Sequence, residues 1–365
     1  MEPGAPRGRE AIGQLVPYEP GRPAAAVRRE LGIDHVVKLA SNEGAYPPFP
    51  AALEAIERAA GELNRYPERT YELRDLLAAR HAVPIERIAL GNGADGLINN
   101  ISLAFLAAGD EAAFCWPSFV SYRLSAIKAG GAPVTAPLRG GSYDLDALVE
   151  QIAPRTRLVH VCNPNNPTGG IVDRDALRRF LDAVPERVLV VVDQAYHEYV
   201  TDPAYADAVA EHGERPNVCV LRTFSKMYGL AGLRIGYALA APEVCAEIGK
   251  VRNAFDVNEL ALVAAAASIG EHAEIARRQA ETLAQRARLA EGLERLGLIP
   301  LASHGNFVCV PVPDGQALAS RLEEEGVIVR PLAAFGAPDA VRVTVGTPQE
   351  NGIFLEALGR VLTPA

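Results

Sequence analysis

Lys226 stands just past two hydroxyl-bearing residues in Arg222-Thr223-Phe224-Ser225-Lys226-Met227-Tyr228-Gly229-Leu230-Ala231-Gly232-Leu233-Arg234. A lysine becomes a nucleophile toward carbonyls when its surroundings lower its pKa, and Schiff-base chemistry is the usual result. Thr223, Ser225 and Arg234 supply directional hydroxyl donors and a bidentate guanidinium, a donor set suited to a phosphate. Phe224 and Met227 read as packing. A carbonyl and a phosphate on one ligand describe pyridoxal 5′-phosphate (PLP).

Four other segments carry complementary chemistry. Gly91-Asn92-Gly93-Ala94-Asp95-Gly96 follows a short apolar run, Ile88-Ala89-Leu90, and opens a helical pattern. Free amides at a helix start bind anions, and glycine lets the anion come close, so Gly93, Ala94 and Asp95 are candidate phosphate contacts. Phe119, in Trp116-Pro117-Ser118-Phe119, follows the run Ala112-Ala113-Phe114-Cys115 and can stack on a planar ring. Asn166, in Asn163-Pro164-Asn165-Asn166-Pro167-Thr168-Gly169, lies in a turn-forming loop and offers an amide to a phenolate oxygen. Asp193 ends the run Val188-Leu189-Val190-Val191-Val192. A carboxylate there is costly unless paired, and a protonated pyridine nitrogen is a suitable partner. Taken alone, Asp193 also reads as a helix N-cap. Tyr196, three residues on, can donate to the ring hydroxyl.

These residues need a scaffold that brings strand ends together. Arg157–Val161, Val188–Asp193 and Asn217–Leu221 read as buried strands, continuously apolar and rich in β-branched residues. Helical patterns lie between them, over 93–107, 118–129 and 173–183. Such alternation predicts an α/β fold whose mostly parallel sheet is covered by helices on both faces, in three layers. Ligands bind such sheets at the carboxyl ends of the strands. After about residue 242 the pattern changes. A long helical stretch over 271–296 precedes strands at 307–311 and 341–345, with helices over 316–325 and 349–362, which reads as a smaller α+β domain. The expected division is a disordered lead-in over 1–11, an N-terminal arm over 12–48 joining the smaller domain, a large PLP-binding domain over 49–245 and the smaller domain over 246–365.

Composition excludes other classes. A formal net charge of −9 argues against nucleic acid or an anionic membrane as partner. No apolar run approaches the roughly 18 residues of a membrane span. The first ten residues lack the apolar centre of a secretory signal. Five cysteines with no close pair read as buried reduced thiols, which fits the cytoplasm. Seven histidines without ligand spacing point to no metal.

The chain resembles the fold-type-I PLP-dependent aminotransferases, and within them the histidinol-phosphate aminotransferase group, from about Leu15 to Leu362. The marks are Leu39-Ala40-Ser41-Asn42-Glu43, Arg65-Tyr66-Pro67, Gly91-Asn92-Gly93, the Asn163–Gly169 loop, Arg222-Thr223-Phe224-Ser225-Lys226 and Val341-Arg342-Val343-Thr344-Val345-Gly346-Thr347. The resemblance implies a homodimer with active sites at the subunit interface, where Tyr66 reaches the cofactor phosphate of the other subunit. It implies that Arg342 grips the substrate carboxylate, with Arg330 a nearby second anion contact and Asn42 and Tyr46 at the substrate site. The implied reaction is ping-pong transamination between an amino acid, or histidinol phosphate, and a 2-oxo acid such as 2-oxoglutarate, with Lys226 as nucleophile and proton carrier. The chain departs from the group at Gly44-Ala45, Pro47, Gly96, Gln194 and Pro348, the last standing where an arginine is usual. These departures leave an aromatic or specialised-pathway amino acid open as donor. A threonine-phosphate-type decarboxylase and a non-catalytic PLP-binding sensor are further alternatives.

Overall fold

The computed structural model describes residues 8–16 and 21–363. Its strands, in chain order, are β1 (Val37–Lys38), β2 (Ile88–Gly91), β3 (Glu111–Cys115), β4 (Ala132–Ala136), β5 (Leu138–Arg139), β6 (Ser142–Tyr143), β7 (Thr156–Cys162), β8 (Leu189–Asp193), β9 (Val218–Thr223), β10 (Gly236–Leu239), β11 (Phe307–Pro311), β12 (Val327–Ile328), β13 (Arg330–Pro331) and β14 (Ala340–Thr344). Seven of them form one sheet in the order β2-β10-β9-β8-β7-β3-β4. The run β9-β8-β7-β3-β4 is parallel. Only β10 runs antiparallel, between β2 and β9. The chain is thus an α/β protein of the expected class.

The apolar strands are apolar because both sheet faces are covered. Val190, Val191, Val192, Val220 and Leu221 are fully buried, among residues of the helices Gly93–Phe105, Val120–Ala129, Arg174–Ala183 and Pro242–Val251. Each such side chain contributes about 1.5–3 kcal/mol by leaving water. The helix Arg174–Ala183 starts where Asp173 accepts from the Ala176 amide, an N-cap legible as Asp before an apolar-periodic stretch. In register, Cys162 pairs with Asp193 and Asp193 with Leu221, so β7 and β8 end at one level and β9 runs two residues further.

A second sheet, β11-β14-β13, is antiparallel. Its core includes residues of the helices His272–Arg295, Gly315–Glu324 and Pro348–Leu362. Near the start of the chain β1 pairs in parallel with β12, and Val27 and Ala40 pack on Ile328.

Two expected boundaries differ. Residues 1–7 of the lead-in lie outside the described residues, but Glu10–Gln14 forms a 3₁₀ turn and Arg9 donates to the Lys128 carbonyl at the end of a helix. Residues 245 and 246 fall inside the helix Pro242–Val251, whose Val244, Cys245 and Ile248 pack in the large core. The next helix, Glu259–Ser268, packs in a second core cluster with Phe49, Leu73 and Tyr228. Its alanine-rich sequence carries no directional face, so local pattern did not reveal which core it joins. Strands β4 and β10 were not expected either, being short, partly exposed or rich in small residues.

Candidate active site

Strand ends β7, β8 and β9 place three functional segments around one pocket, lined among others by Asn166, Asp193, Thr223, Ser225 and Lys226. Lys226 lies three residues past the end of β9, half-buried, with its Nζ 3.4 Å from the Ser41 carbonyl and 5.8 Å from the centre of the Tyr196 ring. Burial and then the Arg342 guanidinium push its ammonium down to about 7, so much of it is unprotonated near neutral pH. A lowered pKa is what Schiff-base chemistry asks of a lysine. Asp193 is buried at the end of β8. Its Oδ2 accepts from the Tyr122 hydroxyl at 2.7 Å and its Oδ1 from the Ala195 amide at 3.1 Å. Burial raises its pKa, and the Tyr122 hydrogen bond is the chief opposing influence. A carboxylate has about four acceptor positions, so two protein donors leave capacity for a third.

At one end of the pocket the helix Gly93–Phe105 opens with no side chain capping its first amides. Those amides and the helix dipole favour an anion. Gly93 has φ +71°, and a Cβ there would come within 2.9 Å of the Arg234 Nη2. The glycine therefore makes room for the guanidinium. Ala94, Asp95, Thr223, Ser225 and Arg234 all line this end. Phe119 lines the pocket as well, with its ring edge-on to Tyr122 at 5.7 Å.

The opposite wall comes from the start of the chain and from the small sheet. Arg342, on β14, donates through Nη1 to the Asn166 Oδ1 and through Nη2 to the Ala40 carbonyl at 2.8 Å. Its guanidinium carbon stands 5.6 Å and 5.5 Å from the ring centres of Phe307 and Phe335. Asn166 also lines the pocket. Asn42, at φ +51°, donates through Nδ2 to the Tyr196 hydroxyl at 3.0 Å and accepts from Thr344 Oγ1 at 3.2 Å.

The structure does not bring every candidate into this pocket. Tyr46 turns away, with its ring facing Arg277 and Arg278 at 5.2 Å and 5.8 Å. Its phenol is pushed up to about 12 by burial and by Glu281. Tyr66 is 73% exposed and stacks on Phe255 with ring centres 4.2 Å apart. Arg330 lies one strand from Arg342, paired with it across β13 and β14, and faces a separate cleft beside Gly21 and Glu323. Four lining residues were not singled out as site residues: Ser41, Cys162, Ala195 and Phe335. Phe335 gave no local signal, because a lone aromatic in a turn is indistinguishable from packing.

Three of the departures noted in the sequence have local explanations. A Cβ at Gly44 would sit 2.6 Å from the Lys226 carbonyl oxygen, so only glycine fits there. Gln194 spends its amide inside the protein, donating to the Ala206 carbonyl and accepting from Arg222 and the Ala208 amide. Pro348 is not a lining residue. It opens the last helix, where Thr347 and Glu350 form a capping box and a missing N–H costs nothing.

A pocket with an anion-binding end, a buried carboxylate, a partly neutral lysine between them and an aromatic face matches the chemistry of PLP, group by group. The parallel strand ends place it where α/β sheets bind cofactors. Fold and site together define a PLP-dependent enzyme. The aminotransferase class I and II profile matches residues 34–358, and the chain belongs to that family. It is 46% identical to the histidinol-phosphate aminotransferase of Anaeromyxobacter sp. (strain Fw109-5), over 96% of this chain and 98% of that one. It is 42% identical to the aromatic amino acid aminotransferase of Streptomyces avermitilis, over 99% of each. The solved structure of histidinol-phosphate aminotransferase from Sinorhizobium meliloti in complex with pyridoxal-5′-phosphate superposes with a TM-score of 0.88 at 28% identity, covering 98% of this chain and 97% of that one. The protein is a PLP-dependent aminotransferase, and PLP is its cofactor. Among the described residues no group of His, Cys, Asp or Glu side chains is arranged to hold a metal, and no helix is long and apolar enough to cross a membrane.

Proposed function

We propose that the chain moves the amino group of histidinol phosphate to 2-oxoglutarate. The observation that carries a carboxylate-bearing acceptor is Arg342, buried, oriented by Asn166 and Ala40, and aimed at the same pocket as Lys226. The donor is suggested by relatives named for histidinol phosphate. A second reading, an aromatic amino acid as donor, is favoured by Phe119 and Phe335 on the pocket walls and by relatives named for that activity.

The proposed roles follow from donor types. The amides of Ala94 and Asp95, the hydroxyls of Thr223 and Ser225, and Arg234 hold the cofactor phosphate, with Gly93 leaving space. Asp193 pairs with the ring nitrogen, Asn166 and Tyr196 donate to the ring oxygen, and Phe119 stacks on the ring face. When bound, PLP supplies an electron sink for the charge left on the substrate Cα. Lys226 Nζ, poised near 7, removes the Cα proton and holds it for return. Arg342 holds the anionic end of each substrate, the phosphate of histidinol phosphate or the carboxylate of the 2-oxo acid, so that the Cα–H bond is the one presented to Lys226.

We further propose a cytoplasmic homodimer with shared sites, in which Tyr66 reaches the partner's phosphate. Its support is the exposure of Tyr66 beside Phe255, which a second copy would cover, and five buried free cysteines suited to a reducing compartment. Sedimentation of the holoenzyme tests the dimer. For the reaction, kcat/KM with 2-oxoglutarate is measured for histidinol phosphate, phenylalanine and tyrosine. Histidinol phosphate leading by at least about tenfold, roughly 1.4 kcal/mol, supports the first reading. Tyrosine or phenylalanine leading replaces it with the second.

A further inference from the structure

Tyr122 does more than fill the core. Its ring is enclosed on several sides: His160 stacks on it at 4.5 Å and 10°, Phe119 stands edge-on at 5.7 Å, and Phe114 tilts against it at 5.9 Å. Within this enclosure the fully buried phenol meets the Asp193 Oδ2 at 2.7 Å, with the neutral Cys162 thiol beside it. Burial holds the phenol far above its ordinary pKa, so it stays protonated and acts as the donor. His160 is fully buried too, and neither ring nitrogen has a hydrogen-bond partner. Burial lowers it to about 3, so it is a neutral plate beside Tyr122.

We propose that Tyr122 is a positioning residue for the aminotransferase reaction: by donating to Asp193 it keeps that carboxylate ionised and turned toward the cofactor's ring nitrogen, with His160 holding the Tyr122 ring in place. This rests on the proposed role of Asp193. The groups around Asp193 are few. Tyr122 reaches it from the helix Val120–Ala129, Cys162 from β7, Tyr196 and Tyr205 from the segment after β8, Lys226 from beyond β9 and Asp95 from the helix Gly93–Phe105. Of these side chains only Tyr122 gives the carboxylate a hydrogen bond; Cys162 is held near 12 and stays neutral. Phe119 flanks the same ring, so Tyr122 links the stacking face and the carboxylate that would serve one cofactor.

The test uses Tyr122→Phe, which removes one oxygen and keeps the ring. Apo-protein is titrated with PLP across pH, reading bound cofactor by absorbance. Without its donor, Asp193 protonates at higher pH, and a protonated carboxyl no longer pairs with a protonated ring nitrogen. The acid limb of binding is expected to move up by about one pH unit, with PLP affinity falling about tenfold near neutrality. The kcat should fall while the amino donor's KM stays unchanged. His160→Ala, which frees the Tyr122 ring, should shift the limb in the same direction by less. In an Asp193→Asn background, Tyr122→Phe should change nothing further. An unmoved acid limb in Tyr122→Phe, or an equal effect of that change in the Asp193→Asn background, overturns the proposal. If Asp193→Asn itself leaves PLP affinity and kcat at wild-type values, the role of Asp193 fails instead.

Discussion

The two walls of the pocket are built differently. One wall hangs from the ends of adjacent parallel strands, so Asn166, Asp193 and Lys226 are each placed by a short local segment leaving β7, β8 or β9. Register fixes their relative heights, and the apolar strands beneath are buried on both faces. The other wall has no such common base. Ser41 and Asn42 come from near the start of the chain, Phe335 and Arg342 from near its end, and they meet through side-chain hydrogen bonds such as Thr344 to Asn42. The strand-end wall carries the amine and the carboxylate that a cofactor needs. The assembled wall carries the Arg342 guanidinium, to which the proposed mechanism assigns the substrate's anionic group. A rigid, locally encoded wall suits chemistry common to a family, and a wall joined by long-range contacts can change its substrate without disturbing that chemistry.

Substitutions can break this contrast, beginning on the strand-end side. Lys226→Ala should lower multiple-turnover transamination by at least about 10⁴-fold for every donor, measured as 2-oxo acid formation. Asp193→Asn should lower kcat about 10²–10³-fold, again for all donors alike. On the assembled wall, Arg342→Ala should lower kcat/KM about tenfold to a hundredfold for carboxylate-bearing substrates. The contrast fails if Arg342→Ala lowers the half-reaction rate of a donor with no anionic group as much as that of one bearing a carboxylate or phosphate.

A smaller effect is expected in the stability of the apo-protein. Folded Lys226 has its pKa lowered from 10.5 to about 7, so between those values the unfolded chain binds more protons than the folded one. Stability therefore rises with pH through that window, and the cost of burying the amine is greatest below about 7. Lys226→Met should be more stable than wild type near pH 7, with the gap narrowing toward pH 10 in thermal melts. The smallest effect belongs to Thr344→Val, which removes one hydroxyl from Asn42 and should cost about 1 kcal/mol in stability with kcat reduced only a few-fold.

Much of the strand-end wall was legible in the sequence for a physical reason. A buried parallel strand is a continuous apolar run, and a polar residue at its carboxyl end stands out against it, as Asp193 does after Val190-Val191-Val192. Even so, the hydroxyl that meets Asp193 was not visible. Tyr122 lies in a helix on the far side of β3 in the chain, and nothing in its spacing marks a partner 71 residues away. Tyr46 shows the converse: the family resemblance suggested a place at the substrate site, but the turn beyond Gly44 carries it to the helix bearing Arg277.

By itself the sequence determined the family and the α/β class, and it singled out Lys226 and Asp193 as candidates, since each rests on residue chemistry or on periodicity within a few residues. Only the tertiary structure decided which residues face Lys226 from the other side, that Tyr122 holds Asp193, and that Pro348 opens a helix away from the pocket. Those contacts join segments far apart in the chain, and the packing that selects them leaves no repeat or spacing in the sequence to read.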